Sequence, residues 1–396
     1  MARREPEEHQ FVHRRTGHIM VAYDQRLYVW GGFMELPHSE PYTVMTQSHT
    51  IYHSAIDVWV YDPLLDTWFR KMSRGDIPLQ LSGACAAVHQ HYMYLFGGLA
   101  NGENDFSVIT NSLWRLYLPT LTWELLTPDG DLPLACDKAA CWVYKNRFYV
   151  FGGFGPADNL IQRLHRKVLF VRDAVYSRGW NDQLVYYDIE TNSWVWPETY
   201  GERPTPRAAH SADIVGDTVY IFGGRFKNTR MNDLHCLHLI SNHWSGNLTD
   251  SEVQNAPEGR SWHTFNFIND RKAVVYGGFN ATQQVLKDIW ILNIEKQLWQ
   301  RVDNDNAKPA LWHTSSIAYP GEVFCYGGLR NNILDYSVPK DHAEEMLVLR
   351  FSPPTLQRLT LEAICRYSKR LQRQITTLPQ NLQLVLKYRS AVEEIS

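Results

Sequence analysis

Tyr149-Val150-Phe151-Gly152-Gly153 is an apolar strand running into a diglycine, and the chain carries six such runs. The others are Tyr28-Val29-Trp30-Gly31-Gly32, Tyr94-Leu95-Phe96-Gly97-Gly98, Tyr220-Ile221-Phe222-Gly223-Gly224, Val274-Val275-Tyr276-Gly277-Gly278 and Phe324-Cys325-Tyr326-Gly327-Gly328. Paired glycines allow positive φ and close backbone approach where a strand ends. One pair carries little information. Six at intervals of roughly 50–70 residues define a repeat protein, which gathers the chain into one body.

Each unit has four parts. A first strand opens near a polar or histidine mark: Gly17-His18, Ser82-Gly83, Lys138-Ala139, Ala209-His210, Trp262-His263 and Trp312-His313. The second strand ends in the diglycine. The third is short and alternating, as in Val58-Trp59-Val60-Tyr61-Asp62, and a brief turn leads to a tryptophan in the fourth: Trp68, Trp123, Trp194, Trp244 and Trp299. Period-two alternation between turn signals argues for antiparallel meanders, and four strands repeated radially make a β-propeller blade. The sixth unit ends at Met346-Leu347-Val348-Leu349 without its tryptophan, so Gln10-Phe11-Val12 is expected to supply the closing strand. Two units carry long insertions after the diglycine: polar Glu35–Ala55, and Leu160–Ser177 with Arg163, Arg166, Lys167 and Arg172.

Composition agrees with stacked sheets: 14 Trp, 21 Tyr and 16 Phe among 396 residues. A formal net charge of −3 gives no bulk attraction to nucleic acid or membrane. Apolar runs are strand length, and Met1-Ala2-Arg3-Arg4-Glu5-Pro6 lacks a signal-peptide core, so a soluble intracellular protein is expected. Six cysteines (Cys85, Cys136, Cys141, Cys236, Cys325, Cys365) show no regular spacing and read as buried thiols in a reducing compartment. The sequons at Asn247 and Asn280 are then chance matches.

Catalytic signatures are missing: there is no HExxH, GxSxG, CxxC or glycine-rich phosphate loop. Histidines recur by repeat position, which points to structure, and no third ligand stands at metal spacing. Neither a cofactor nor a metal is expected, and no enzyme. The fourth and fifth units differ from the rest. Gly223-Gly224-Arg225-Phe226-Lys227-Asn228-Thr229-Arg230 puts two arginines in one connecting loop, and Arg260-Ser261-Trp262-His263 opens the neighbouring unit. Converging guanidinium groups suit a carboxylate, and a serine hydroxyl adds a donor. The competing reading is that the arginines brace adjacent blades through Asp233 or Asp213.

The diglycine, Tyr-Asp and tryptophan pattern over roughly residues 12–351 resembles the kelch family. Arg225…Arg230-Met231-Asn232-Asp233, Arg260-Ser261-Trp262-His263, Arg178-Gly179-Trp180-Asn181-Asp182 and Leu311-Trp312-His313 resemble, more narrowly, the kelch domain-containing protein 1 and 2 family. That resemblance implies a six-bladed, all-β kelch propeller serving as substrate receptor of a cullin–RING ubiquitin ligase. It implies further that Arg225, Arg230 and Ser261 hold a substrate's C-terminal carboxylate, with glycine as the preferred last residue. Lys138, Trp180 and Trp262 then line the pocket, with Phe154 and Phe33 where family pockets tend to carry tyrosine. An internal-peptide or cytoskeletal scaffold of the same fold is the alternative.

The pattern changes after Phe351. Ser352-Pro353-Pro354-Thr355 reads as a helix start, followed by Leu356, Leu359, Ala363 and Ile364 on one face. A second helix is expected from Leu378-Pro379, presenting Leu382, Val385 and Leu386. Thr355–Ile364 resembles an elongin-binding box, with Leu356, Thr360 in the small-residue position, and Ile364. Residues 378–382 resemble a cullin box, carried by Leu378, Pro379 and Leu382. The chain therefore divides into a propeller over 1–351 and a helical tail over 352–396. The expected partners are elongin B/C and cullin-2 or cullin-5 with a RING protein, in cytoplasm or nucleus.

Overall fold

The second strand of each repeat is apolar almost throughout, as in Glu322–Tyr326, where every residue is buried. Such a strand has neighbours on both faces, which is why it lacks the alternation of a half-exposed strand. The computed structural model describes residues 12–36, 50–101, 107–157, 167–175, 177–249, 255–367, 377–380, 382, 383 and 386. They form a six-bladed β-propeller with a helical tail.

Blades I to V are four-stranded antiparallel meanders. Blade I, for example, runs Ile19–Tyr23, Arg26–Trp30, Asp57–Asp62 and Thr67–Met72. Blades II and IV each gain a short parallel edge strand, Arg74–Gly75 and Tyr200–Glu202. The innermost strands Ile19–Tyr23, Cys85–His89, Ala140–Tyr144, Ser211–Val215, Thr264–Phe267 and Thr314–Tyr319 contact one another in turn, and the last returns to the first. The ring is closed.

Six apolar clusters hold it together, each shared by two adjacent blades. The fourth-strand tryptophan of one blade packs on the aromatic that precedes the previous blade's diglycine. Trp68 meets Tyr326 at 4.8 Å, Trp123 meets Trp30 at 5.1 Å, and Trp194 meets Phe96 at 5.5 Å. Trp244 on Phe151 and Trp299 on Phe222 follow at 5.4 and 5.0 Å. First-strand histidines pack the same way: His18, His210, His263 and His313 set their edges against Tyr326, Phe151, Phe222 and Tyr276.

Blade VI has three strands among the described residues, and no tryptophan covers Tyr276. A cavity of about 340 Å³ opens there, lined by Tyr276, Cys325, Met346 and Leu347 among others. Of the expected closing segment, Gln10 and Phe11 lie outside the described residues. Val12 carries no strand, yet it packs in the cluster between blades VI and I.

The tail helix spans Leu356–Arg366, with the Thr355 hydroxyl accepting from the Arg358 N–H at 3.2 Å as its N-cap. Its buried face is Arg358, Leu361 and Ile364, packed on Leu64. The expected apolar face is thus turned away in part: Leu356 is 80% exposed and Leu359 47%. The cause is Arg358. Its guanidinium donates to the Pro63 carbonyl at 3.1 Å and to Glu362 at 2.7 Å, and lies 3.7 Å from the Tyr319 ring centre. Those contacts fix the helix's rotation. Helical geometry resumes at Gln380, and Leu378, Leu382 and Leu386 join the same small cluster.

Candidate functional site

The diglycine face of the propeller is organised by a closed circle of backbone hydrogen bonds. Gly17 N–H donates to Trp312 O, Trp312 to Trp262, Trp262 to Ala209, Ala209 to Lys138, Lys138 to Gly83, and Gly83 back to Gly17, at 2.7–3.3 Å. All six residues are left-handed, with φ between 53° and 66°. Four of them carry a side chain there, each at a strain of about 1–2 kcal/mol, and the closed circle holds them. A central channel of about 230 Å³ opens beside this circle. Trp262 and Trp312 stack at 5.4 Å, and Lys138 Nζ stands 5.2 Å from the Trp312 ring.

The residue just before each circle position pairs with the residue just after a diglycine. Thr16 pairs with Phe33, Ser82 with Leu99, Asp137 with Phe154, Ala208 with Arg225, Ser261 with Phe279 and Leu311 with Leu329. The mouth is therefore lined by equivalent positions from every blade, and blade IV alone offers a cation after its diglycine. There the second and third strands, Thr218–Phe226 and Thr229–His238, continue past a register shift at Gly223 as a hairpin. Arg225 and Arg230 face each other across it.

Neither arginine takes the bracing role. Asp233 is held by Arg207 through two hydrogen bonds of 2.8 Å and by His235 at 2.9 Å. Burial alone would push this carboxyl up, but His235 and Arg207 outweigh burial and hold it well below the usual range. Asp213 instead accepts the N–H groups of Ile214 and Phe267, and burial pushes it up to about 6. A recurrent arginine three residues before the histidine instead braces its own blade. Arg15, Arg207 and Arg260 reach the carbonyls of Gly31, Gly223 and Gly277, and Arg260 also clamps Asp288 at 2.8 and 2.9 Å.

The blade IV pair is left without a carboxylate among the described residues. Arg225 Nε donates to the Lys227 carbonyl at 2.7 Å, and its guanidinium stands 5.7 Å from the Trp180 ring. Arg230 lies 4.7 Å from Phe279, with Nε and Nη2 buried and unpartnered. Burial first, and the neighbouring Arg225 charge second, bring Arg230 down to about 10. Ser261 pairs with that same Phe279, is fully buried, and leaves its Oγ without a partner, as Trp262 leaves Nε1. All of these are donors. The arrangement lacks an anion with several acceptor positions.

The expected pocket walls gather around it. Trp180 is buried between Phe154 at 5.0 Å and Phe226 at 6.0 Å. Phe33 stands further round the mouth, on Trp312 at 5.6 Å. Arg225, Arg230, Ser261, Trp262, Trp180 and Phe154 thus form one arc over blades III to V, while Lys138 and Phe33 meet it through Trp312. The sequence reading left out Trp312, Phe226 and Phe279. Aligning Trp312-His313 with Trp262-His263 was the signal for the first. Among the described residues no group of histidine, cysteine or carboxylate side chains is placed to hold a metal.

Comparison with known proteins bears on this arrangement. The family model for the KLHDC2/KLHL20/DRC7 Kelch-repeats domain matches residues 17–174 and 173–362. Kelch domain-containing protein 2 of Bos taurus is 33% identical, over 93% of this chain and 88% of its own length. Kelch domain-containing protein 1 of Homo sapiens is 34% identical, over 94% and 89%. The chain belongs to the kelch domain-containing protein 1 and 2 family. Among solved structures, one titled YjhT matches with a TM-score of 0.62 at 14% identity, covering 86% of this chain and 96% of that one, which bears on fold alone.

The kelch propeller also separates its two ends. Diglycine loops lie at the far ends of the second strands, whereas the third-to-fourth-strand turn holding Pro63 and Leu64 lies at the opposite end of the same meander. The tail helix docks on that turn, so it sits on the face away from Arg225 and Arg230. Of the expected docking residues, Leu356 and Thr360 are exposed, with the Thr360 hydroxyl donating to Leu356 O at 2.7 Å. Ile364 is buried, Leu378 and Leu382 are half-buried, and Pro379 is exposed.

Proposed function

We propose that this kelch protein is the substrate-recognition subunit of a cullin–RING ubiquitin ligase, and that it captures the C-terminal carboxylate of its substrate. The observation that carries the proposal is the arginine pair Arg225 and Arg230, lacking any carboxylate partner among the described residues beside the unpartnered hydroxyl of Ser261. A terminal carboxylate is the one group internal peptides lack, and its capture is a recurrent recognition mode. Two guanidinium groups offer it parallel donors. Trp180, Trp262 and Phe154 crowd the approach and leave little room for a side chain, which favours glycine as the last residue. Nothing in this reading asks the propeller for chemistry.

The tail is the proposed docking element. Leu356, Leu359, Thr360 and Ala363 form an exposed stripe at helical spacing on the face away from the pocket. It suits elongin C, with the segment from Leu378 reaching a cullin, in the cytoplasm or nucleus. A substrate bound at one end would leave the other free for the ligase.

Two measurements test the two halves. Binding of a glycine-ending peptide should be lost on amidation or on adding one residue after the glycine. Equal binding of the amide would overturn the clamp and favour an internal-peptide scaffold. Elongins and a cullin should co-purify with the full chain and be lost from a chain ending at Phe351. Their retention, or their absence from both, would overturn the ligase role.

A further inference from the structure

Beyond the arginine pair, the mouth carries a second set of cations. Arg178 belongs to the strand Arg178–Asn181, which lies between Phe154–Pro156 and Phe170–Arg172. Trp180 on this strand pairs with Phe154, and Arg178 pairs with Pro156. Side chains two apart on a strand share a face, so Arg178 stands on the Trp180 side, about 7 Å further along. Its charge reaches across to blade I. The Tyr52 phenol, raised mainly by burial, also feels Asp137 and Arg178.

Lys227 flanks the same tryptophan from blade IV. It is exposed at the hairpin tip, left-handed at φ 52°, with Nζ 5.3 Å from the Phe226 ring that abuts Trp180. Neither Arg178 nor Lys227 has a salt-bridge partner among the described residues. Other cations nearby are paired: Lys138 with Asp137, Lys167 with Asp131 and Arg203 with Asp182. Arg172 on the next strand is without a carboxylate among the described residues, but it stands opposite Gly179 and so faces away from Trp180. Arg178 and Lys227 therefore place unpaired positive charge on two sides of Trp180, outward of the arginine pair.

We infer that Arg178 and Lys227 form an outer subsite for an acidic side chain, so that the preferred ligand is a peptide with Asp or Glu shortly before its C-terminal residue. This rests on the carboxylate-clamp reading. A peptide anchored at Arg225 and Arg230 leaves past Trp180 in extended form at about 3.3 Å per residue. Its side chains two to four positions from the end then pass between the two cations. Acidic residues there meet unpaired charge, and lysine meets repulsion. Field focusing at a concave mouth with low-dielectric walls strengthens the effect over that of an open surface.

Labelled octapeptides ending in glycine, with Glu, Ala or Lys at the third and fourth positions from the end, test this by fluorescence polarisation on the full chain. The expected order is Glu above Ala above Lys, with about three- to tenfold between Glu and Ala at low salt, shrinking at 0.5 M NaCl. The double variant R178Q/K227Q should lose the ranking while still discriminating free acid from amide, and its unchanged thermal melt would show an intact fold. Equal affinities across the series in the unaltered protein would overturn the inference, as would a ranking that survives in the variant. Failure to distinguish acid from amide would overturn the clamp instead. The two failures therefore read separately.

Discussion

Arg230 lies directly opposite Arg225 across the blade IV hairpin, and each guanidinium rests on an aromatic ring instead of a carboxylate: Phe279 for Arg230, Trp180 for Arg225. Like charges facing each other across strands are destabilising by roughly 0.2–1 kcal/mol, and burial deepens the cost at Arg230. Replacing Arg230 by methionine should therefore leave the melting temperature unchanged or raise it. The same substitution should remove terminal-carboxylate binding by about 2–5 kcal/mol. Calorimetric melts beside peptide titrations read both quantities. A clear loss of stability would mean that Arg230 is structural after all.

Arg260 should behave in the opposite way. It is fully buried and holds Asp288 through two hydrogen bonds and the Gly277 carbonyl through a third. Removing one partner leaves the other as an uncompensated buried charge, at a cost of about 3–5 kcal/mol. Arg260→Met is expected to lower the melting temperature by roughly 4–6 °C. A melt within about a degree of the unaltered protein would contradict the assignment of Arg260 as a brace within blade V.

These two arginines show where the sequence could be read and where it could not. Periodicity made the fold legible: diglycine, histidine and tryptophan recur, and each recurrence maps to one interblade contact. The break in that pattern at Arg225 located the unusual blade. Sorting four nearby arginines into braces and free cations needed the hydrogen bonds, although Arg-x-x-His at Arg15, Arg207 and Arg260 was a repeat signal for bracing. The tail helix shows the other limit. Apolar spacing proposed Leu356 and Leu359 as the inner face, but an arginine, Arg358, is the buried anchor. No spacing rule ranks a cation above leucine for burial, because the partners that make it favourable, Pro63 O and Tyr319, are remote in the chain.

Six histidines make stability depend on pH: the four at the first-strand repeat position, and His53 and His342, which burial brings down to about 3 and about 4. His210 and His313 are each brought down to about 3, chiefly by burial, and His18 and His263 fall well below the usual value. The unfolded chain takes up their protons below about pH 6.5 while the folded chain does not, so stability is full above that pH and is lost as pH falls. Each contributes about 1.4 kcal/mol per pH unit. Asp213, raised to about 6, works in the other direction and offsets one histidine. Acid unfolding should therefore begin below pH 6.5, with a midpoint near roughly pH 5. The variant His210→Asn should reduce the slope by about one proton, and an unaltered slope would show that His210 is protonated in the folded state.

The tail separates stability from docking. Leu361 is buried on Leu64, so Leu361→Ala should loosen the helix from the propeller by about 2–5 kcal/mol, read as faster amide exchange over residues 356–366. Thr360 points outward, and its hydroxyl bonds only to the helix's own Leu356 carbonyl among the described residues. Thr360→Arg should leave both melting and exchange unchanged, because a long polar side chain is tolerated on an exposed helix face. It should nonetheless block co-purification of elongins, since a docking helix with a small residue at its centre has no room for a guanidinium. Retention of elongins by the Thr360→Arg protein would remove the exposed stripe from the proposed interface and leave the segment from Leu378 to carry any docking.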